Sequence, residues 1–169
     1  MPLMLFSTAS GLPKSVLITS SSMGEGKTTS AIATASSLAS AGKRVLLIDG
    51  DMRQRGITEL LALNDAAGLS SLLTRQAELS SLIVVNSGLG FDVLPAGPTP
   101  PGPSDILDTD TLSAMLAEIA QTYDCAIIDS PGVTQFADAS LLGAATDCVV
   151  FVISAQTNHR GRAKAALRQ

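Results

Sequence analysis

The chain has 169 residues, of which 46% are hydrophobic and 15% charged, a composition that excludes a disordered protein. Its net charge of −4 argues against a general nucleic-acid-binding protein, which would need a basic face. With four Phe, one Tyr and no Trp, the core has to be built from Val, Ile, Leu and Ala. We therefore expect residues 1–169 to form a single domain with a sizeable core.

Apolar runs and amphipathic segments alternate along the chain, which predicts alternating strands and helices. In chain order these are strand Ser15–Ser20, helix Lys27–Ala41, strand Arg44–Ile48, helices Ile57–Leu63 and Leu69–Leu73, strand Phe91–Leu94, helix Asp110–Gln121, strand Cys125–Asp129, helix Asp138–Ala145 and strand Asp147–Ser154. A basic helical tail with Arg160, Arg162, Lys164 and Arg168 follows. Such alternation favours crossover connections, and hence an α/β fold with a mostly parallel sheet and helices on both faces.

Two further segments complete the prediction of local structure. Residues 95–103 are rich in proline and are expected to form an ordered surface loop that leads into a helix N-cap at Ser104. Cys125 and Cys148 lie in apolar runs without metal-ligand spacing, so we expect buried free thiols, with a disulfide between them as the alternative. The longest apolar run, 148–153, is too short to cross a bilayer, and the N-terminus lacks a signal-peptide pattern.

Residues 17–29 predict a phosphate-binding P-loop, because an apolar strand passes through a small-residue loop into an alanine-rich helix. Gly24 and Gly26 let the backbone approach an anion, and the first N–H groups of the helix point at it. Lys27 would reach the β- and γ-phosphates, and the Thr28 hydroxyl would ligate Mg²⁺. The pattern asks for glycine at position 21, where this chain has Ser21, a small residue that can still turn. The nucleotide-binding residues predicted here are Met23, Gly24, Glu25, Gly26, Lys27, Thr28 and Thr29, and the fold is of P-loop NTPase type.

Acidic residues follow two of the predicted strands. Asp49 and Asp51 come directly after the second strand, and Asp129 ends a later strand in the Walker B pattern. In an open α/β sheet, ligands bind beyond the carboxyl ends of the strands, so these carboxylates are expected in the same crevice as the phosphates. There one could hold Mg²⁺ or its waters while another accepts a proton from an attacking hydroxyl. For Asp49 alone, capping of a helix or turn is an open alternative.

The segments Ser20–Thr29 and Asp49–Arg53 resemble the bacterial protein-tyrosine kinases, the cytoplasmic partners of exopolysaccharide and capsule chain-length (co-polymerase) proteins. The spacing Asp49-x-Asp51-x-Arg53 is similar to the additional Walker A′ motif of that family. The likeness covers residues 5–168 and extends to Leu94–Gly97, Pro100–Ser104, Tyr123-Asp124, Asp138-Ala139 and Asp147.

The resemblance implies transfer of the γ-phosphoryl group of ATP to tyrosine hydroxyls, with ATP/ADP and Mg²⁺ as the bound cofactors. By the same resemblance, Lys27 would neutralise phosphate charge and Asp49 would help to deprotonate the tyrosine. Thr28, Asp51 and Asp129 would form the metal shell. The catalytic set is then Lys27, Asp49, Asp51 and Asp129, and Arg53 joins the nucleotide-binding set by orienting the acids or touching phosphate.

The resemblance also implies partners and a location. Family members usually carry an N-terminal oligomerisation helix and a C-terminal tyrosine cluster, whereas this chain starts just after that helix and has Tyr123 as its one tyrosine. We expect a kinase core that is monomeric as it stands and homo-oligomeric in its full-length form. Its partners would be protein tyrosine substrates and the cytoplasmic segment of a membrane polysaccharide co-polymerase, fused or separate, but not nucleic acid. The location implied is the cytoplasm, at the inner face of the bacterial cell membrane.

Two other functions stay open. One is a catalytically weak nucleotide-binding scaffold that regulates polysaccharide export. The other is a positioning or partition ATPase, a class that resembles this chain in fold but carries a signature lysine early in the P-loop. Ser22 occupies the corresponding position here.

Overall fold

Five parallel strands form one sheet in the computed structural model, which describes residues 11–85 and 88–154. The strands are β1 Ser15–Ser20, β2 Val45–Asp49, β3 Asp92–Leu94, β4 Cys125–Asp129 and β5 Cys148–Val152, in the order β3-β2-β4-β1-β5. The helices are α1 Lys27–Ser40, α2 Gly56–Leu60, α3 Leu69–Leu73, α4 Leu79–Leu82, α5 Thr109–Thr122 and α6 Asp138–Ala145, with a 3₁₀ helix at Pro103–Ile106. The predicted basic tail with Arg160, Arg162, Lys164 and Arg168 lies outside the described residues.

The sheet is covered by helices on both faces, as predicted. Successive side chains of a strand point to opposite faces, so each central strand contributes to two apolar cores. Leu46 and Ile48 of β2 lie in the core that contains Leu112 of α5, together with residues of α3, α4 and α6. Leu47 lies in the other core, which contains Ala31 of α1 and a residue of α2. The apolar runs are therefore continuous because both faces of the sheet are buried.

The strand register brings two of the predicted carboxylates to the same edge of the sheet. Strands β2 and β4 pair in parallel, with Asp49 directly beside Asp129. Strand β1 pairs with the other side of β4 and aligns Ile18 with Asp129, so the loop that follows β1 starts at this edge too. The P-loop and the acidic strand ends therefore lie together at the carboxyl edge, where the sequence predicts a ligand-binding crevice.

Apart from shifts of one or two residues at the ends of several strands and helices, three details of local structure differ from the prediction. The 3₁₀ helix starts at Pro103, whose fixed φ and missing N–H suit a first helical residue, so the N-cap predicted at Ser104 is wrong. Asp108 caps α5 instead, since its side chain accepts the N–H of Thr111 at 2.9 Å. Helix α2 ends at Leu60, short of residue 63, and α4 was not predicted.

Both cysteines are free thiols. Cys125 opens β4 and Cys148 opens β5, and β1 lies between these strands. Two strand spacings of about 4.8 Å separate their backbones by more than the roughly 7 Å that a disulfide can bridge. The strand spacing therefore excludes the disulfide alternative. Burial, together with the nearby charge of Asp147, raises the pKa of the Cys125 thiol to about 12.

No helix in residues 11–85 and 88–154 has the length and apolar character needed to span a membrane.

Candidate functional site

The loop between β1 and α1 takes a backbone shape that requires glycine at two positions. Gly24 has φ +76° and Gly26 has φ +90°, both in the left-handed region. A Cβ at either position would meet no atom within 4 Å, so backbone conformation and not space explains these glycines. Gly26 immediately precedes Lys27, the first residue of α1, so the helix N-terminus opens directly from the loop. This geometry suits an anion-binding loop, and Met23 and Thr29 are exposed beside it.

Lys27 lies across the loop with only 8% of its surface exposed. Its Nζ donates to Ser20 Oγ at 3.1 Å and to the carbonyl oxygen of Ser22 at 3.0 Å. Both acceptors are neutral oxygens of the loop itself. An ammonium held this way can exchange them for phosphate oxygens, which are stronger partners because they carry charge.

Glu25 braces the loop from within. Its Oε2 accepts the N–H of Ser22 at 2.7 Å and the hydroxyl of Ser21 at 2.8 Å. Burial opposes ionisation of Glu25, but these hydrogen bonds and the charge of Lys27 outweigh it and hold the pKa of Glu25 below its ordinary value. Ser21, which departs from the P-loop pattern, thus supplies a hydroxyl that glycine could not.

Thr28 and Asp129 meet at the predicted metal position. Thr28 Oγ1 donates to Asp129 Oδ2 at 2.6 Å, whereas Asp129 Oδ1 is buried and has no hydrogen-bond partner in the described part of the chain. A buried carboxylate oxygen without a partner is costly, so the site fits a cation or a cation-bound water. Burial raises the pKa of Asp129 to about 7, and the charges of Asp49 and Asp51 add to this shift.

A magnesium ion here would take few ligands from the protein. Within residues 11–85 and 88–154, no three His, Cys, Asp or Glu side chains converge closely enough to cage a metal. Hydroxyl and carboxylate oxygens such as those of Thr28 and Asp129 are the donors that Mg²⁺ prefers, and Mg²⁺ usually completes its shell with water and phosphate. The residues present therefore fit Mg²⁺ bound together with a nucleotide.

Asp49 is fully buried at the end of β2 and is held by three hydrogen bonds. Its Oδ2 accepts both the N–H and the hydroxyl of Thr58, at 2.8 and 2.7 Å, and its Oδ1 accepts the N–H of Asp51 at 3.3 Å. Burial raises the pKa of Asp49 above its ordinary value even though these bonds oppose the shift. Thr58 lies in the first turn of α2, so Asp49 accepts an N–H group at the start of that helix. The alternative role of Asp49, capping a helix or turn, therefore corresponds to an observed contact.

Asp51 shapes the turn that follows β2. Its Oδ1 accepts the N–H groups of Arg53 at 3.2 Å and Gln54 at 2.9 Å, an arrangement in which an aspartate stabilises the turn that it starts. Asp51 is 7% exposed, and its charge acts on the Asp129 carboxylate. The structure thus brings Asp49, Asp51 and Asp129 to one edge, as the sequence predicted.

Arg53 directs its guanidinium to α6 and the 3₁₀ helix. Its Nε donates to Asp138 Oδ2 at 3.3 Å, and its Nη2 donates to Ser104 Oγ at 3.1 Å. The guanidinium also lies 3.9 Å from the centre of the Phe136 ring, and the Ser104 hydroxyl donates to Asp138. Arg53 contacts the acidic cluster through its backbone N–H to Asp51, so its predicted role in binding nucleotide stays a prediction.

Sequence reasoning missed several residues that support the site. Thr58 hydrogen-bonds to Asp49, and Asp138 accepts a hydrogen bond from Arg53. Gly50 lets the carboxyl ends of β2 and β4 approach closely. A Cβ on Gly50 would lie 2.6 Å from the carbonyl oxygen of Asp129, to which the Gly50 N–H donates at 2.8 Å. The only signals in the sequence were a glycine between two aspartates and the similarity of the segments at 104 and 138 to the family pattern.

Comparison with known proteins identifies a matching domain family and related tyrosine-protein kinases. The chain matches the AAA domain family over residues 14–164. The tyrosine-protein kinase YwqD of Bacillus subtilis is 36% identical over 153 residues, which are 90% of this chain and 65% of YwqD. The tyrosine-protein kinase CpsD of Streptococcus agalactiae is 33% identical over 160 residues, which are 92% of this chain and 70% of CpsD. The chain therefore spans about two thirds of the length of these relatives.

Solved structures of tyrosine kinase domains and of a nucleotide-bound synthase share the fold of this chain. The kinase domain of Escherichia coli tyrosine kinase ETK superimposes with a TM-score of 0.87 at 28% identity, covering 92% of this chain and 61% of that domain. Cobyrinic acid a,c-diamide synthase from Mycobacterium smegmatis, solved with a bound ATP analog and magnesium, gives a TM-score of 0.76 at 26% identity, covering 93% of this chain and 66% of the synthase. The chain belongs to the bacterial tyrosine-protein kinase family, on a P-loop α/β fold of the AAA-domain type.

Proposed function

We propose that this chain is the core of a Mg-ATP-dependent protein-tyrosine kinase. The observation that carries the proposal is the contact between Thr28 and Asp129 beside the P-loop, which leaves Asp129 Oδ1 buried and unbonded. A P-loop alone supports only nucleotide binding. The acidic pair at 49 and 51, next to Asp129 in the same crevice, adds the groups that phosphoryl transfer to a hydroxyl needs.

The reaction assigns a separate task to each side chain. Lys27 would exchange its two neutral partners for phosphate oxygens and balance their charge. Thr28, Asp51 and Asp129 would hold Mg²⁺, which supplies neutralisation of charge on the β- and γ-phosphates. Asp49 would accept the proton of the tyrosine hydroxyl. The tyrosine oxygen then bonds to the γ-phosphorus, and the bond to the β–γ bridging oxygen breaks to leave ADP.

The acceptor tyrosine would come from outside the described domain. The hydroxyl of Tyr123 donates to Asp92 Oδ2 at 2.8 Å, next to the start of β4. Asp92 is in register with Leu46, three residues before Asp49, so the P-loop crevice lies about 10 Å further along the strands at about 3.3 Å per residue. We propose protein tyrosines of other segments or molecules as substrates.

The cellular setting follows from the family. We propose that the chain acts at the cytoplasmic face of the bacterial membrane with the cytoplasmic segment of a polysaccharide co-polymerase, and that it forms homo-oligomers in full-length form. In this setting it would regulate the chain length and export of exopolysaccharide or capsule. The similarity to YwqD, CpsD and the ETK kinase domain supports this assignment.

One assay tests the proposed activity. The chain is incubated with γ-labelled ATP, Mg²⁺ and a tyrosine-rich peptide, with Lys27→Met as the inactive control. We expect label on peptide tyrosine from the wild type alone. Bound nucleotide without any label on tyrosine would replace the kinase with a regulatory scaffold, and hydrolysis to free phosphate without transfer would indicate a switch ATPase.

A further inference from the structure

Thr58 lies where three parts of the site meet, although nothing in the sequence marks it as functional. It is fully buried in α2, and it contacts the end of β2 through Asp49 and the segment after β3 through Ala96. All three residues have no exposed surface. The hydroxyl of Thr58 is therefore a polar contact shared by three elements in the protein interior.

The direction of the hydroxyl proton is set by chemistry. The N–H of Ala96 can only donate, and it donates to Thr58 Oγ1 at 2.9 Å. The hydroxyl has one proton, and its other partner is Asp49 Oδ2 at 2.7 Å. Thr58 must therefore donate that proton to Asp49. Its rotation is locked from both sides.

This arrangement makes the two oxygens of Asp49 unequal. Oδ2 accepts two short hydrogen bonds from Thr58, at 2.7 and 2.8 Å, while Oδ1 accepts one longer bond from the Asp51 N–H at 3.3 Å. The carboxylate plane is fixed from the Oδ2 side. Oδ1 is left as the oxygen with remaining acceptor capacity.

We propose that Thr58 is a positioning residue for phosphoryl transfer, which locks the buried Asp49 carboxylate in one orientation beside Asp129. The inference rests on the proposed kinase function, because Asp49 has a reacting partner only in that reaction. Thr58 touches neither nucleotide nor acceptor and acts through Asp49. Catalytic groups held this way lose rate steeply when their orientation loosens.

The test compares Thr58→Val, which has nearly the same shape but no hydroxyl, with Thr58→Ser, which keeps the hydroxyl. We expect Thr58→Val to lower kcat for transfer to a tyrosine peptide by roughly tenfold or more, with the Kd for Mg-ADP changed less than about threefold. Thr58→Ser should restore kcat to within about threefold of the wild type. An unchanged kcat in Thr58→Val, or parallel losses of kcat and nucleotide affinity, would overturn the inference.

A double-mutant cycle separates positioning from a merely structural contact. In an Asp49→Ala background, adding Thr58→Val should change kcat by less than about twofold, because the group through which Thr58 acts is gone. A further loss of tenfold in that background would show that Thr58 acts elsewhere. If Thr58→Val does not fold by circular dichroism, Thr58→Ala takes its place at a temperature below its unfolding transition.

Wild-type transfer is measured in parallel, so the two possible failures differ. A wild type that binds Mg-ADP without labelling tyrosine refutes the kinase function itself, and with it this inference. A wild type that labels tyrosine while the Thr58 variants keep full kcat refutes only the positioning role.

Discussion

The hydroxyl of Thr28 donates to Asp129 Oδ2 at 2.6 Å, which joins the first turn of α1 to the end of β4. The two residues were assigned from separate motifs, the P-loop and the Walker B pattern. Their contact shows that the donor loop and the acidic strand end form one unit.

Replacing Lys27 with Met should lower phosphoryl transfer by about 10²–10³-fold, because one preorganised charge opposite the transferring phosphate is lost. The far-ultraviolet circular dichroism should stay the same, since the Lys27 ammonium donates to Ser20 and Ser22 beside the loop and not to the core of the sheet. Lys43→Met is the matched control, because Lys43 is an exposed lysine just before β2 and away from the crevice. Full activity in Lys27→Met would remove the P-loop assignment.

Asp49→Ala should reduce transfer by about 10²–10⁴-fold, the usual contribution of a general base, while ATP affinity changes little. The measurement is kcat from peptide labelling set against Kd from nucleotide titration. Asp49→Asn keeps the size of the side chain and tests the charge alone. Equal losses of kcat and affinity would leave Asp49 with its capping contact to α2 and no role as base.

The stability of the nucleotide-free chain should fall as pH rises, because burial in the folded state raises the pKa of Asp129 to about 7 from its ordinary value of 3.8. A folded-state pKa above the unfolded one stabilises fully below pH 3.8, and that stabilisation is lost as pH rises through about 7. Thermal denaturation without Mg²⁺ should show a Tm about 5 °C lower at pH 8 than at pH 5. Asp129→Asn should make Tm less dependent on pH. If Tm of this variant changes with pH as steeply as that of the wild type, groups other than Asp129 cause the dependence.

Tyr123→Phe should leave transfer to an external peptide unchanged, because the Tyr123 hydroxyl donates to Asp92 away from the crevice. Burial and the Asp92 carboxylate raise the pKa of Tyr123, so its phenolate is even less accessible as a nucleophile. Stability should drop by about 1 kcal/mol through the lost hydrogen bond. Peptide mapping of labelled wild type should find no phosphate at position 123, and label there would contradict the placement of the acceptor.

Gly50→Ala should destabilise the fold by about 1–3 kcal/mol and lower transfer, since the new Cβ would press on the Asp129 carbonyl oxygen. Gly42→Ala is the control. Gly42 has φ +78° but no atom within 4 Å of an added Cβ, so it bears backbone strain without crowding the crevice. Urea unfolding and peptide labelling measure the pair. Equal losses of transfer in both variants would mean that general destabilisation explains the effect of Gly50→Ala.

The sheet was predictable from sequence because its strands are buried on both faces and appear as unbroken apolar runs. The bounds of β1 and β4 and of the helices α3 and α6 match the predicted ones. The prediction of the helix N-cap at Ser104 failed because several neighbouring residues can start or cap a helix. Pro103 can start a 3₁₀ helix as readily as it can end a loop. Asp108, four residues beyond Ser104, caps α5.

The candidate site was predictable where a motif encodes a contact within a few residues, and not where the contact is tertiary. Lys27 and Thr28 follow the loop directly as the first two residues of α1, so spacing alone places them. Asp49 bonds to Thr58 of α2, nine positions away along the chain. Arg53 bonds to Asp138 of α6, 85 positions away. No periodicity in one sequence reports such pairs.

The brace between Glu25 and the residues Ser21 and Ser22 has a consequence for how nucleotide arrives. The loop is already shaped by its own side chain, so ligand binding does not have to order it. Little conformational entropy is therefore lost at that step, and affinity reflects the phosphate contacts themselves. Glu25 therefore preorganises the loop, and we expect nucleotide association to need no folding transition of the loop.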